Sequence, residues 1–225
     1  MKYCLFFLVS FFTVSLTAQD SMTAKEKAAA YEATITSRAQ KIVDKLSFND
    51  PGKSTIVTKL VAAQYKNLNE VYTDRDLQVK TQKETAPNAT KESISTAVEN
   101  IQELATERIS SLHNKFIADL SAHLTSAQVD QVKDGMTYGV LQVTYKGYND
   151  MIPTLTDKQK EQIMTWLIEA REFAMDAESS EKKHGWFGKY KGRINNYLSA
   201  AGYNLQAERA GWQERLKAGK ATKTN

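Results

Sequence analysis

KKHGWFGKYKGRINNYLSAAGY, from Lys182 to Tyr203, is the stretch whose reading decides how the second half of the chain folds. It holds five Lys/Arg, one His, five aromatics and four of the chain's ten glycines, and no carboxylate. Gly185 and Gly188 bracket Trp186-Phe187, which predicts a tight, aromatic-bearing turn. A helix is then expected from Lys189 to Ala201, stopped by a glycine cap at Gly202. On a helical wheel Tyr190, Ile194, Tyr197, Leu198 and Ala201 share one face. Lys189, Arg193 and Asn196 line a second row, with Gly192 leaving bare backbone beside them.

Those residue types suit an anionic or polyhydroxylated ligand. Arginine takes a carboxylate or phosphate through two parallel hydrogen bonds. Asparagine offers both donor and acceptor to hydroxyls, and an aromatic face covers the apolar side of a sugar ring. The candidate ligand-binding residues are therefore His184, Trp186, Phe187, Lys189, Tyr190, Lys191, Arg193, Asn195, Asn196 and Tyr197. Glu172 and Asp176, on the preceding helix, are their acidic partners. The competing reading is a solvated basic face above a core of tyrosines, salt-bridged to Glu172 or Asp176.

Glu169, Glu172 and Asp176 share one helical stripe, and an acid pair with His184 can be drawn as acid/base machinery. A surface carboxylate row is the commoner outcome, so no catalytic residue is assigned. His113 and His123 read as ordinary packed or surface histidines. The chain shows no glycine-rich phosphate loop, nucleophile elbow or metal-ligand spacing, and no cofactor or metal is expected.

Outward from this stretch the chain reads as helices. Tyr31, Ile35, Ala39, Ile42 and Leu46 recur every three or four residues within Thr23 to Phe48, one stripe of an amphipathic helix. Asp50-Pro51 is a cap and first-turn pair for the next, which carries Ile56, Leu60, Tyr65, Leu68 and Tyr72 and frays beyond Leu77. Lys80 to Lys91 is polar, contains Pro87 and reads as a loop. A third long helix runs from about Glu92 to Ala122. Leu124-Thr125-Ser126-Ala127-Gln128 and Leu155-Thr156-Asp157-Lys158-Gln159 are capping boxes that start two further helices. Between them Val129, Val132, Met136, Val140 and Val143 form one stripe. Tyr138, Leu141, Tyr145, Tyr148 and Ile152 form another, although residues 140–145 also suit a short strand. A close helix approach or a bend would justify Gly135, Gly139 and Gly147. A cleaner helix spans Thr156 to Glu178.

The expected fold is all-α: one domain, a bundle of about six to seven helices over residues 19–225. A long-helix half (23–122) precedes a glycine- and aromatic-rich half (124–218) that ends in the quoted helical segment.

Residues 1–18 stand apart. Lys2, the apolar run Leu5 to Leu16 and Ala18 have the layout of a secretory signal peptide cleaved before Gln19. The run is shorter than the roughly 20 apolar residues of a membrane-spanning helix. Export to the periplasm or beyond, with no membrane span, is the expectation. Cys4, the only cysteine, leaves with that segment, so a thiolate site is excluded. A net charge of +4 says less than its clustering, and export argues against nucleic acid despite basic residues interleaved with aromatics.

Several of these runs also carry a resemblance. They are Leu124 to Gln128 with Asp134-Gly135-Met136-Thr137-Tyr138-Gly139, Met151-Ile152-Pro153-Thr154-Leu155-Thr156, Glu169-Ala170-Arg171-Glu172, Ala174-Met175-Asp176-Ala177 and, most specific, Phe187 to Leu198. Together they resemble a domain family of unknown function among exported helical proteins of Bacteroidota, over most of the chain. Its members tend to accompany polysaccharide-utilisation genes, so the resemblance implies a glycan-derived ligand. Carboxylate-based catalysis on the same glycans is a further alternative. A looser resemblance, confined to the two Leu-Thr-x-x-Gln copies, is to small periplasmic chaperones on a helical cradle, which implies an exposed apolar concave face.

Overall fold

Helical periodicity becomes helix throughout the computed structural model, which describes residues 22–85 and 89–221. The signal-peptide reading and Pro87 lie outside the described residues. Eight α-helices and one 3-10 turn are present, with no strand among the described residues: α1 (Ala24–Val43), the turn Asp44–Leu46, α2 (Pro51–Thr85), α3 (Lys91–Ser121), α4 (Ser126–Met136), α5 (Val140–Met151), α6 (Asp157–Met175), α7 (Ser180–Ala200) and α8 (Leu205–Ala221). The all-helical bundle expected from the stripes is what the chain forms.

Local chemistry sets most of the boundaries. Thr125 and Thr156 each accept from the N–H three residues on, while Gln128 and Gln159 reach back to the cap backbone, so both capping boxes form. The Asp50 carboxylate accepts from the Gly52 N–H at 2.8 Å, opening α2 at Pro51. The segment from Lys80 to Thr85, expected as loop, continues α2. Its polar composition breaks no backbone hydrogen bond, and it carries neither glycine nor proline.

Gly185 to Gly188 is not a turn but regular helix within α7. Ser179 caps the start by accepting from the Lys182 N–H at 3.1 Å. From there Lys183, Phe187, Tyr190, Ile194 and Leu198 hold one buried face without interruption. The end is as expected: Gly202 has φ 93°, the Tyr203 N–H donates to the Leu198 carbonyl and the Gly202 N–H to that of Ser199. That is the paired closure of a Schellman motif.

Residues 140–145 are helical, and the two stripes expected between the caps belong to two helices. Tyr138 (φ 60°) and Gly139 (φ 68°) break the path. The Gly139 N–H donates to the Asp134 carbonyl at 2.7 Å and the Tyr138 N–H to that of Gly135 at 3.3 Å. This is again a Schellman closure, with tyrosine in the left-handed position that glycine usually fills. The rephasing leaves Val143 73% exposed, outside the stripe assigned to it. At Gly135 the reason for glycine is close approach: an added Cβ would lie 2.7 Å from Ile42 Cγ2.

The core has two clusters. Ala39, Val43, Val57, Val61, Phe116, Leu120, Val132 and Met136 join α1–α4. Leu141, Ile152, Ile163, Leu167, Phe187, Ile194 and Leu198 join α5–α7, with Trp212 of α8 packed against them. Helix α6 belongs to both, because Met175 at its end enters the first cluster.

Candidate functional site

Two clefts open between elements of the two cores, and they share Tyr72, Ala177 and Glu178 as lining. The smaller, of about 500 Å³, lies among α2, α3, α6 and α7. Here Glu172 and Asp176 meet Trp186, three residues singled out in the sequence, together with Lys182 of the same stretch. Phe173 and Trp186 stack at 4.6 Å with 17° between their rings, and Phe173 is 47% exposed. The pair makes an aromatic platform beside the acids.

The histidine in this cleft is His113 of α3, not His184. Its Nδ1 lies 2.6 Å from Asp176 Oδ2, and its Nε2 lies 3.6 Å from Glu172 Oε2. Lys133 of α4 donates to Glu172 at 2.7 Å. Asp176, the C-cap of α6, is buried; its Oδ1 accepts from Gln64 at 3.2 Å and its carbonyl from the Tyr72 hydroxyl at 2.8 Å. Asp176 thus fixes the imidazole through Nδ1 and leaves Nε2 facing the second carboxylate. A ring held this way can donate a hydrogen bond or pass a proton at Nε2.

The Asp176 hydrogen bond raises the His113 pKa above its ordinary value of 6.5, against the opposing effect of burial. Both carboxylates favour the imidazolium, and Lys133 opposes it. Because the folded-state pKa is the higher one, the stability it contributes is complete below the unfolded value, about pH 6.5, and is lost as pH rises through the folded value. Urea denaturation between pH 5.5 and 8 should show wild-type stability falling relative to His113→Gln as pH rises. Parallel curves would remove the linkage. Lys183, lowered to about 8 by burial, adds stability as pH rises between about 8 and its ordinary 10.5. That opposite sign is why the window stops at pH 8.

The other residues of the quoted stretch take different places. Phe187 and Tyr190 are buried in the second core cluster, and Tyr197 meets Trp166 edge-on at 5.3 Å. Asn195 accepts from the Tyr148 hydroxyl at 2.7 Å. Lys189, Lys191, Arg193 and Asn196 are exposed. Lys189 sits 5.0 Å over the Trp186 ring and Arg193 4.5 Å over Trp166. The carboxylate beside Arg193 is Glu169, at 3.5 Å, rather than Glu172 or Asp176. His184 stacks on Tyr138 at 5.7 Å, and no ion pair or hydrogen bond ties it to Glu172 or Asp176 among the described residues.

Sequence reasoning passed over His113 and Arg171. Arg171 is 4% exposed and binds Asp130 and, at 2.8 Å, Asp134 of α4. Its Nε lies 3.5 Å from Glu172 Oε1 without a hydrogen bond. The chain of charges Asp130, Asp134, Arg171, Glu172, Lys133, His113 and Asp176 therefore runs from α4 through α6 to the floor of the cleft. No group of three or more His, Cys, Asp or Glu able to hold a metal is found among the described residues, and no described helix is long and apolar enough to cross a membrane.

Residues 32–218 match the family model described as "Protein of unknown function (DUF3826)"; the chain belongs to that family. Comparison with curated proteins returns no match.

Proposed function

We propose that the protein is an exported binding protein for a polyhydroxylated, glycan-derived ligand, held in the Trp186 cleft and serving polysaccharide utilisation. The observation that carries this reading is the stacked Phe173–Trp186 platform beside Glu172, His113 and Asp176 in one cleft of about 500 Å³. A sugar ring has an apolar face that stacks on an aromatic ring, here the exposed Phe173 that Trp186 backs, and an equatorial rim of hydroxyls that needs paired donors and acceptors. Cleft volume and this mixture of groups match a small-ligand site. Lys182 and Arg75 at the same cleft extend the reading to acidic sugars, although Arg75 already pairs with Asp76 and Glu178.

The expected result on an array of neutral and acidic oligosaccharides is selective binding that falls roughly tenfold or more in Trp186→Ala, as for a central aromatic anchor. Circular dichroism should stay helical. Arg193→Ala forms the second arm and reads whether the exposed row of α7 contributes. Absence of binding by the wild type, or undiminished binding by Trp186→Ala, rejects the cleft.

One geometry favours a second reading, acid/base catalysis on the same ligand. Asp176 holds His113 so that Nε2 faces Glu172, the arrangement of a base oriented by a carboxylate. Mass spectrometry of a bound oligosaccharide decides it. New products made by the wild type and lost in Glu172→Gln would establish turnover, and an unaltered ligand would exclude it.

A further inference from the structure

The larger cleft, of about 1000 Å³, is bounded by α1, α2, α4, the α4–α5 turn and the α6–α7 connection. Four cations line it: Arg38, Lys41, Lys45 and Lys183. Its three carboxylates are already engaged elsewhere. Asp76 and Glu178 each lie 2.6 Å from Arg75, and Asp134 lies 2.8 Å from Arg171. By contrast, Arg38, Lys41 and Lys45 have no ion pair or side-chain hydrogen bond among the described residues. Their spacing, three and then four residues, puts them on one side of the α1 path, with Ile42 of the same cleft between Lys41 and Lys45 and Ile35 three residues before Arg38. Arg38 lies near enough to Tyr31, Tyr65 and Lys183 to act electrostatically on all three. Its guanidinium therefore serves the concavity rather than bulk solvent alone.

Lys183 adds an ammonium held in place below about pH 8. It is 6% exposed, and its Nζ donates to the Ala174 and Met175 carbonyls at 3.1 and 2.7 Å, the end of α6. A lysine ammonium has three protons, so one remains beyond these two bonds. Tyrosines 31, 65, 72 and 138 supply ring surface around the cations. Of these, Tyr138 is held at the cleft in the left-handed position of its turn, 55% exposed. A bulky side chain there is a strained choice that glycine would relieve.

We propose that this cleft is a second site, separate from the Trp186 cleft, for a multiply charged anion bearing carboxylate, sulfate or phosphate groups. Arg38 and Lys41 at the rim, with Lys183 in the wall, meet the charges. Tyr138 covers the apolar side of the ligand.

Isothermal titration of the purified protein with four probes tests it: a uronic-acid trisaccharide, a sulfated disaccharide, inorganic tripolyphosphate and an uncharged trisaccharide. At least one anionic probe should bind, with affinity falling about tenfold or more between 50 and 300 mM NaCl as screening sets in. In Arg38→Ala/Lys41→Ala/Lys45→Ala, whose replaced side chains are exposed, that affinity should fall about tenfold or more again. Trp186→Ala should leave it unchanged. Preference for an acidic saccharide over tripolyphosphate supports the site and assigns its ligand to saccharides; the reverse supports it and assigns the ligand to free phosphates. Anionic probes bound no better than the uncharged one overturn the proposal, as does full affinity in the triple variant. Loss of the anion in Trp186→Ala overturns the separateness of the two sites.

Discussion

Arg171→Ala should destabilise the protein by about 3 kcal/mol or more, the range for removing one partner of a buried ion pair. The side chain is 5% exposed and spans from α6 to Asp130 and Asp134 on α4. Truncation leaves these acids facing a void, but not equally. The Asp130 side chain is 55% exposed and can be rehydrated, whereas Asp134 is 19% exposed and cannot turn fully to water. Most of the loss should therefore come from Asp134. Adding Asp134→Asn to Arg171→Ala should recover part of it, because the uncompensated charge disappears. Asp134→Asn alone should be destabilising. Urea denaturation of the four proteins measures both the loss and the coupling. A loss under about 1 kcal/mol in Arg171→Ala would mean that the charges are rehydrated and that the network does not tie α4 to α6.

The consequence reaches the cleft. Arg171 also faces Glu172, which Lys133 and His113 share, so loosening α4 against α6 disturbs the carboxylate beside Trp186. Stability and site are built from the same charges, and a binding assay on Arg171→Ala should be read only together with its unfolding curve.

What the sequence makes legible depends on range. Capping boxes at Thr125 and Thr156 are read directly, because cap and partner lie three residues apart and nothing distant has to cooperate. Both Leu-Thr-x-x-Gln copies are thereby explained as helix starts. Stripes such as Ile35, Ala39 and Ile42 are legible for the same reason: periodicity is local. His113 and Asp176 are not, being 63 residues apart. Nothing in either neighbourhood announces the other. Lys183 hides differently. A lysine on a helix reads as surface, yet this one is 6% exposed because the Ala174 and Met175 carbonyls ending α6 give its ammonium partners. The Tyr138 turn combines both difficulties. Glycine at the second position of the pair marks a break, but the residue that takes the left-handed conformation first is a tyrosine. A period-based reading therefore runs straight through it and places Val143 inside.

Replacing Gly185, Gly188 and Gly192 together with alanine should raise stability by about 2–3 kcal/mol, from about 1 kcal/mol per glycine in a helix interior. For a chain of this size that corresponds to a rise in Tm of roughly 4–12 °C. All three glycines are exposed within α7, and an added Cβ at each meets nothing within 4 Å. None of them has a positive φ, so alanine fits the backbone they already adopt. Density of glycine in this stretch suggested a turn, but the helix tolerates the residues rather than using their freedom. Gly135→Ala is the internal control: its Cβ would meet Ile42 Cγ2 at 2.7 Å, and there the same substitution should destabilise. Thermal unfolding of the two variants must therefore move in opposite directions. A fall in Tm for the triple variant would show that the bare face of α7 is held by a contact that alanine obstructs. A rise accompanied by unchanged binding in the Trp186 cleft would show that the three glycines serve neither packing nor that ligand.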